Sequence, residues 1–294
     1  MRSIYKEKSI EGSHYQSLAI SQTLIFFIDK RIRLLHNISK RYIKERRSVE
    51  FMRQKVRKCL LLISFLAFPI TIWYFSPYLI INAAMEHIIN GSFIVFCLML
   101  LLSMFLGRVW CGYLCPAGGL QECAMRVKDD PAKQGKRDKI KYVIWTLWIV
   151  TVIVTFICGK NDVTINPFYM TDHGISVSSI YNYVIYYGVV MLLVFPALIH
   201  GRRAACHYIC WMAPFMVIGS SIGRLLHLPQ LHIEVEKDKC VGCGMCNKAC
   251  LMGLDVRQMV ADSSVLKCTE CIQCGACVDG CPKNALSYKW TWRR

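Results

Sequence analysis

No Rossmann glycine fingerprint, no P-loop and no catalytic-triad candidate occurs in the 294 residues. The C-x-x-C-H motif that attaches haem is also absent. Any substrate chemistry is expected to depend on a partner. Acidic residues are scarce: 19 Asp and Glu stand against 36 Lys and Arg, giving a net charge of +17. That balance invites a nucleic-acid reading, because basic chains neutralise phosphates. The placement of the charge argues against it. Fifteen of the 36 basic residues lie at or before Lys58, and nearly all the others flank apolar stretches. Basic residues in such places set membrane topology and attract anionic lipid. The first 20 residues are polar and charged and show no secretory signal pattern. The 17 cysteines are therefore read as metal ligands in a reducing compartment rather than as disulfides.

Hydrophobic residues make up 54% of the chain and the mean hydropathy is +0.35, too apolar for an ordinary soluble globule. Residues 59–85, 88–107, 142–159 and 180–199 are four uncharged stretches near the length a membrane helix needs. Pro69 and Pro77 should kink or shorten the first of them. The connection between the first two stretches has no Lys or Arg, and 160–179 has one. Eight lie in 108–141 and twelve after Gly201, so 35 of 36 fall on one side with the basic head. The expectation is a multi-pass protein of the cell membrane with both termini cytoplasmic. A fifth uncharged stretch, 204–223, would put the tail outside if it crossed, so it is read as re-entrant or interfacial. The basic head has apolar residues at roughly helical spacing over 24–43, which suits an interfacial helix or a solvated tail.

The strongest pattern lies in the tail. Cys240-x2-Cys243-x2-Cys246-x3-Cys250 is followed by Cys271-x2-Cys274-x2-Cys277-x3-Cys281-Pro282. This is the spacing of two-cluster bacterial ferredoxins, in which the fourth cysteine of each run ligates the other cluster. Cys240, Cys243, Cys246 and Cys281 should hold one 4Fe–4S cluster, and Cys271, Cys274, Cys277 and Cys250 the second. Leu251 stands where a proline usually follows, and Cys268 is left as a spare thiol because Pro282 fixes the register. Zinc sites come as two separated pairs, not two runs of four.

A second constellation is repeated. Gly107-Arg108 is followed by Cys111-x3-Cys115, and Gly201-Arg202 by Cys206-x3-Cys210, with the pairs 95 residues apart. Each repeat is two apolar stretches and then a cysteine pair at the cytoplasmic face, a parallel repeat. Spacing of four on a helix places both thiols on one face. The four thiols suit a further cluster, a soft metal such as Cu(I), or a redox-active thiol set. Small cysteines also simply pack well between helices, but the repetition favours a redox or metal role. His207, between Cys206 and Cys210, is the histidine nearest to this chemistry; the others read as interface residues. Most aromatics near the ends of the apolar stretches read as an interfacial belt, and Pro167-Phe168-Tyr169 in the outer loop could shape a quinone site.

The expected organisation is a basic segment over 1–58, a membrane domain over 59–225 and a cytoplasmic domain for two 4Fe–4S clusters over 226–294. The fold class is an α-helical integral membrane protein, with about four transmembrane helices in two parallel repeats and a C-terminal α+β ferredoxin-like domain. Electrons would pass between a membrane carrier and a soluble, acidic redox partner drawn by the basic tail. Two readings from other classes remain open, a copper-handling or assembly factor and a redox-sensing membrane regulator.

The run Gly107-Arg108-Val-Trp-Cys111-Gly-Tyr-Leu-Cys115-Pro116-Ala-Gly, with the second Cys-x3-Cys and the tail, resembles the NapH/NosR-like family of membrane-bound polyferredoxins. The resemblance covers roughly 52–290. It implies membrane helices, two Cys-x3-Cys-Pro motifs, cytoplasmic 4Fe–4S clusters, and a relay between the quinone pool and partner reductases or a service in metal-enzyme maturation. Cys111, Cys115 and Pro116 match the first motif. Cys206 and Cys210 match the second, except that Trp211 replaces the proline.

Overall fold

A computed structural model describes residues 52–159, 162–266 and 268–292. The expected helix over 24–43 lies outside these. The first apolar stretch is broken where its prolines stand. Helix α1 (Met52–Leu66) meets a second helical segment, Phe68–Phe75, at a bend of 59°. This segment begins as α2 (Phe68–Thr71), with Pro69 in its first turn, and tightens into a 3₁₀ turn. Ser76 then turns extended, and its hydroxyl accepts from the Leu79 amide to cap α3 (Pro77–Met85), with Pro77 at the first helical position. The break frees backbone carbonyls that lipid could not satisfy. Two tryptophans supply the donors: the Trp211 indole N–H to Phe75 O at 3.0 Å, and that of Trp148 to Pro77 O at 2.9 Å.

Strand β1 (Ile88–Asn90) takes the first three residues of the second apolar stretch, and α4 (Gly91–Leu106) the rest. Asn90 caps α4 through the Phe93 amide at 3.0 Å. After α4 come α5 (Val109–Tyr113), α6 (Pro116–Ala124) and α7 (Ile140–Cys158). Strand β2 (Thr164–Asn166) pairs in parallel with β1, Ile88 against Thr164, and ties the connection before α4 to the one after α7. Then follow α8 (Ile180–His200), α9 (Ala204–Tyr208) and α10 (Ala213–Leu225). Two helices among the described residues are long and apolar enough to cross a membrane, Arg137–Cys158 and α8; the bent pair is a third if counted as one. Helix α4 is apolar but only 16 residues long. The side chains of α7 and α8 are exposed along most of their length, Ile157 and Val184 by 73% and 71%, as a lipid-facing surface requires.

The fifth uncharged stretch forms two short helices rather than one long one. Helix α10 packs closely on α4. A Cβ on Gly219 would lie 2.0 Å from Ser103 Oγ, and one on Gly223 would lie 2.2 Å from Met104 O. Gly219-x3-Gly223 thus lets two backbones touch, as small residues do between helices in lipid. Phe215 of α10 sits edge-on to Phe96, Trp145 and Trp148 at 5.0, 5.5 and 5.7 Å. Trp145 and Trp148 are therefore packing residues here rather than belt residues.

The tail contains β3 (Pro229–Val235), α11 (Met245–Ala249), α12 (Val256–Asp262), α13 (Ala276–Asp279) and β4 (Leu286–Trp292). β3 and β4 pair antiparallel, Val235 opposite Leu286, and bring the ends of the tail together. One continuous hydrophobic core runs from Phe68, Ile80 and Phe96 through the membrane-side cysteines to Ile233, Ile272 and Leu286. The tail is packed onto the helices, not tethered to them.

Candidate functional site

In the tail, Gly244 and Gly275 hold the same left-handed conformation, φ 72° and 76°, immediately before α11 and α13. A side chain would strain both. The fourth cysteine of each run is also treated alike: Cys250 Sγ accepts from the Leu254 amide at 3.4 Å and Cys281 Sγ from the Ala285 amide at 3.3 Å. The runs thus fold as two copies of one loop. Between them lie two cavities. Cys240, Cys243, Cys246 and Cys281 line one, floored by Val260 and Leu286. Cys250, Cys271, Cys274 and Cys277 line the other with Met252, Leu254 and Ile272, and the spare thiol of Cys268 joins them at its wall. Burial pushes the Cys250 thiol up to about 11 and the Cys271 thiol up to about 12. Neutral thiols suit such an apolar site until a cation draws off their protons. The two cavities differ in access: Cys240 and Cys243 are exposed, whereas Cys274 and Cys277 are buried.

The membrane-side pairs do not share a helix face as spacing alone suggested. Cys111 is in α5, but Cys115 lies past its end in extended conformation, because Pro116 opens α6 and disfavours helical backbone in the residue before it. Cys210 likewise follows the end of α9. Both loops start from a glycine with positive φ that ends the preceding helix, Gly107 at 60° and Gly201 at 91°. The two loops nevertheless lie together: Arg203 donates to Cys111 O at 2.8 Å. None of the four thiols is more than 8% exposed. Gln121 bridges the loops: its amide N–H donates to Cys206 Sγ at 3.0 Å and its oxygen accepts from the Ala205 amide at 3.0 Å. Met216 Sδ lies 3.8 Å from Cys111 Sγ. His207 points away, to Met252 O at 2.9 Å.

Around these thiols is a set of buried charges that pattern alone did not reveal. Glu122 pairs with Arg57, Nη1 to Oε1 at 2.6 Å and Nη2 to Oε2 at 2.9 Å, and also with Arg203. Glu270 pairs with Lys141 at 2.6 Å and Arg108 at 3.1 Å. No member of the cation set is more than 3% exposed. Residues that read as topology signals are thus partly structural. Burial works to raise the Glu122 and Glu270 carboxyls, but their cations overcome it and hold both below the ordinary range. Glu122 and Glu270 gave no signal in sequence; Arg108 did, through the repeated Gly-Arg.

The tail and the membrane-side loops meet in backbone contact. A Cβ on Gly112 would lie 2.6 Å from Ile272 O and 3.5 Å from Cys274 N, so only glycine lets these loops approach. Gln54 donates to Cys274 O at 3.0 Å and Asp279 at 2.6 Å. Arg202 donates to Cys250 O at 3.0 Å while gripping Asp129 with two nitrogens. A separate cavity of about 690 Å³ lies between α10 and the tail, with Arg108, Arg224, His227 and Cys271 on its wall. Phe168, in the loop after β2, is exposed by 60%. Among the described residues, no three His, Cys, Asp or Glu side chains converge as one bare metal ion requires. A cubane asks instead for thiols at separated corners.

Two families match: the 4Fe-4S binding domain over residues 91–133 and the 4Fe-4S dicluster domain over 239–286. Protein MJ0750 of Methanocaldococcus jannaschii is 24% identical over 67% of this chain and 78% of its own length. YccM of Escherichia coli (strain K12), whose name assigns it to electron transport, is 22% identical over 70% of this chain and 57% of its own. Ferredoxin-3 of Nostoc is 28% identical over 25% of this chain and 93% of its own. No solved structure matches. Apolar helices and two ferredoxin-type iron–sulfur domains on one chain define a class, the polyferredoxins. The two domain matches and the likeness to YccM support a membrane-associated 4Fe–4S polyferredoxin.

Proposed function

We propose that the chain is a membrane-anchored electron carrier that relays electrons between a carrier in the bilayer and a soluble redox partner. Cys240, Cys243, Cys246 and Cys281 would hold one 4Fe–4S cluster, and Cys271, Cys274, Cys277 and Cys250 the other. The observation that carries this reading is that each tail cavity is lined by three cysteines of one run and the last of the other. A zinc pair or a disulfide framework gives no reason for that exchange. When bound, the clusters supply one-electron redox chemistry. The chain's own residues hold thiolates in apolar walls and aim backbone amides at sulfur, which tunes the potential.

In this reading 1–58 is a basic cytoplasmic segment, 59–225 a membrane domain of about four spans in two parallel repeats, and 226–294 a cytoplasmic domain. Both termini face the cytoplasm of a multi-pass protein in the cell membrane. Support comes from the matching glycine-ended turns at Gly107 and Gly201, each followed by a short helix and a cysteine pair. Electrons leave or enter through the cluster at Cys240 and Cys243, where exposed Val241 and Met245 offer an apolar collar to a partner. That partner is an acidic redox protein. The membrane-side thiols are the other terminal and exchange electrons with a quinone; the cavity lined by Arg108 and Cys271 is roomy enough for its headgroup. Anaerobic purification in detergent tests this reading. Brown material that an excess of quinol reduces, with cluster EPR signals, supports it; a colourless, iron-free protein with zinc on these thiols refutes it.

One observation favours a second reading. The thioether of Met216 beside Cys111 is soft-metal chemistry, as a copper-handling factor would use.

A further inference from the structure

We infer that Cys111, Cys115, Cys206 and Cys210 jointly hold a third 4Fe–4S cluster, and that the buried cations around them offset its negative charge. The inference deepens the relay reading by naming the cofactor at its membrane end.

Three observations carry it. The first is the ligand count. The iron–sulfur match over 91–133 contains Cys97, Cys111, Cys115 and Cys123. Cys97 and Cys123 are exposed, while Cys111, Cys115, Cys206 and Cys210 are all buried, and Gln121 and Arg203 hydrogen-bond their two loops together. The missing corners come from the second loop, about which that match is silent. The second is charge. Arg57, Arg108, Lys141 and Arg203 are all buried and form their ion pairs with only two carboxylates, Glu122 and Glu270; even with the partly buried Asp138 nearby, cations outnumber carboxylates. An uncompensated charge inside a protein is costly. A cubane whose core carries two positive charges, held by four thiolates, brings about two negative charges. The third is unpartnered donors. Arg108 Nε and Nη2 and Arg203 Nε are buried without a hydrogen-bond partner, and both guanidiniums interact electrostatically with this cysteine set. Cluster sulfides and thiolates are acceptors for such N–H groups. A Cβ on Gly112, beside Cys111, would lie 3.5 Å from Cys274 N, so the third cluster would lie close to the second.

The experiment counts iron, acid-labile sulfide and copper in the full chain purified anaerobically in detergent, and in the double variant Cys206→Ser/Cys210→Ser. About twelve iron atoms per chain, falling to about eight in the variant with the tail EPR signals kept, is the expected result at four per cubane. About eight in both proteins, or copper at this site, overturns the inference and leaves the tail reading intact. No iron in either overturns both. Should the double variant fail to fold, redox titration of the unaltered chain decides: three reducible centres are expected, and two refute the third cluster. In Arg108→Gln the added centre should shift to lower potential, with Arg108→Lys restoring it; an unmoved midpoint refutes the charge role.

Discussion

Arg203 donates a hydrogen bond to the carbonyl oxygen of Cys111 at 2.8 Å, and so fastens the second cysteine loop to the first across 92 positions of sequence. The same guanidinium pairs with Glu122, which Arg57 grips from the other side. The two repeated motifs are thus joined by a buried charge cluster rather than by packing alone.

Replacing Glu122 by Gln should destabilise the fold by about 3–5 kcal/mol, because it strands Arg57 and Arg203 in the interior. Thermal unfolding in detergent checks this. The pH dependence has a definite sign. The Glu122 carboxyl is held below its ordinary range in the folded state, against the effect of burial, by Arg203 and Arg57. Its contribution is present above the unfolded value and is lost as pH falls through the folded one. The variant should show a shallower acid limb in its stability curve.

Glu270 anchors the tail on Arg108 and Lys141. Glu270→Ala leaves those two cations unpaired, and the expected cost is again about 3–5 kcal/mol. Limited proteolysis should then release the tail faster than from the unaltered protein. An unchanged cleavage rate would show that the core contacts alone dock it.

Gly219→Leu drives a side chain into Ser103 Oγ and Leu100 O, where even a Cβ would lie at 2.0 and 2.5 Å. Helices α4 and α10 must separate, at a cost of about 2 kcal/mol or more. Unfolding in detergent should show the loss, while Gly188→Leu, with open space around it, should not.

The exchange of fourth ligands predicts crossed effects. Cys281→Ser, although it sits in the second run, should impair the cluster at Cys240, Cys243 and Cys246; Cys250→Ser should impair the one at Cys271, Cys274 and Cys277. EPR of each reduced variant distinguishes the two centres. If each variant instead disturbs the centre of its own run, the crossed assignment is wrong.

Much of the tail was legible in sequence because cluster ligation is local: three thiols at fixed short spacing lie on one loop whatever surrounds it. The helices α7 and α8 were legible because uninterrupted apolar length is itself the signal. The first apolar stretch was only half legible. Pro69 and Pro77 announced a break, but not the 59° bend, nor that Trp211 and Trp148 would satisfy the carbonyls it frees. Trp211 reads as a departure from a motif and turns out to be a donor the break requires. The charge cluster was hidden because Arg57, Glu122, Lys141, Arg203 and Glu270 are far apart in sequence, and basic residues beside apolar stretches look alike whether they face headgroups or a buried carboxylate. The Gly219-x3-Gly223 pair carried a readable signal that composition and cysteine spacing overshadowed.

The most direct measurement of the electron-carrier account is EPR of the full chain after complete reduction under anaerobic conditions. Two 4Fe–4S centres in adjacent cavities should give spin-coupled signals that integrate to about two spins per chain from the tail alone, with iron and sulfide in matching amounts. A silent spectrum from protein whose tail thiols are bound to zinc or joined in disulfides would contradict it.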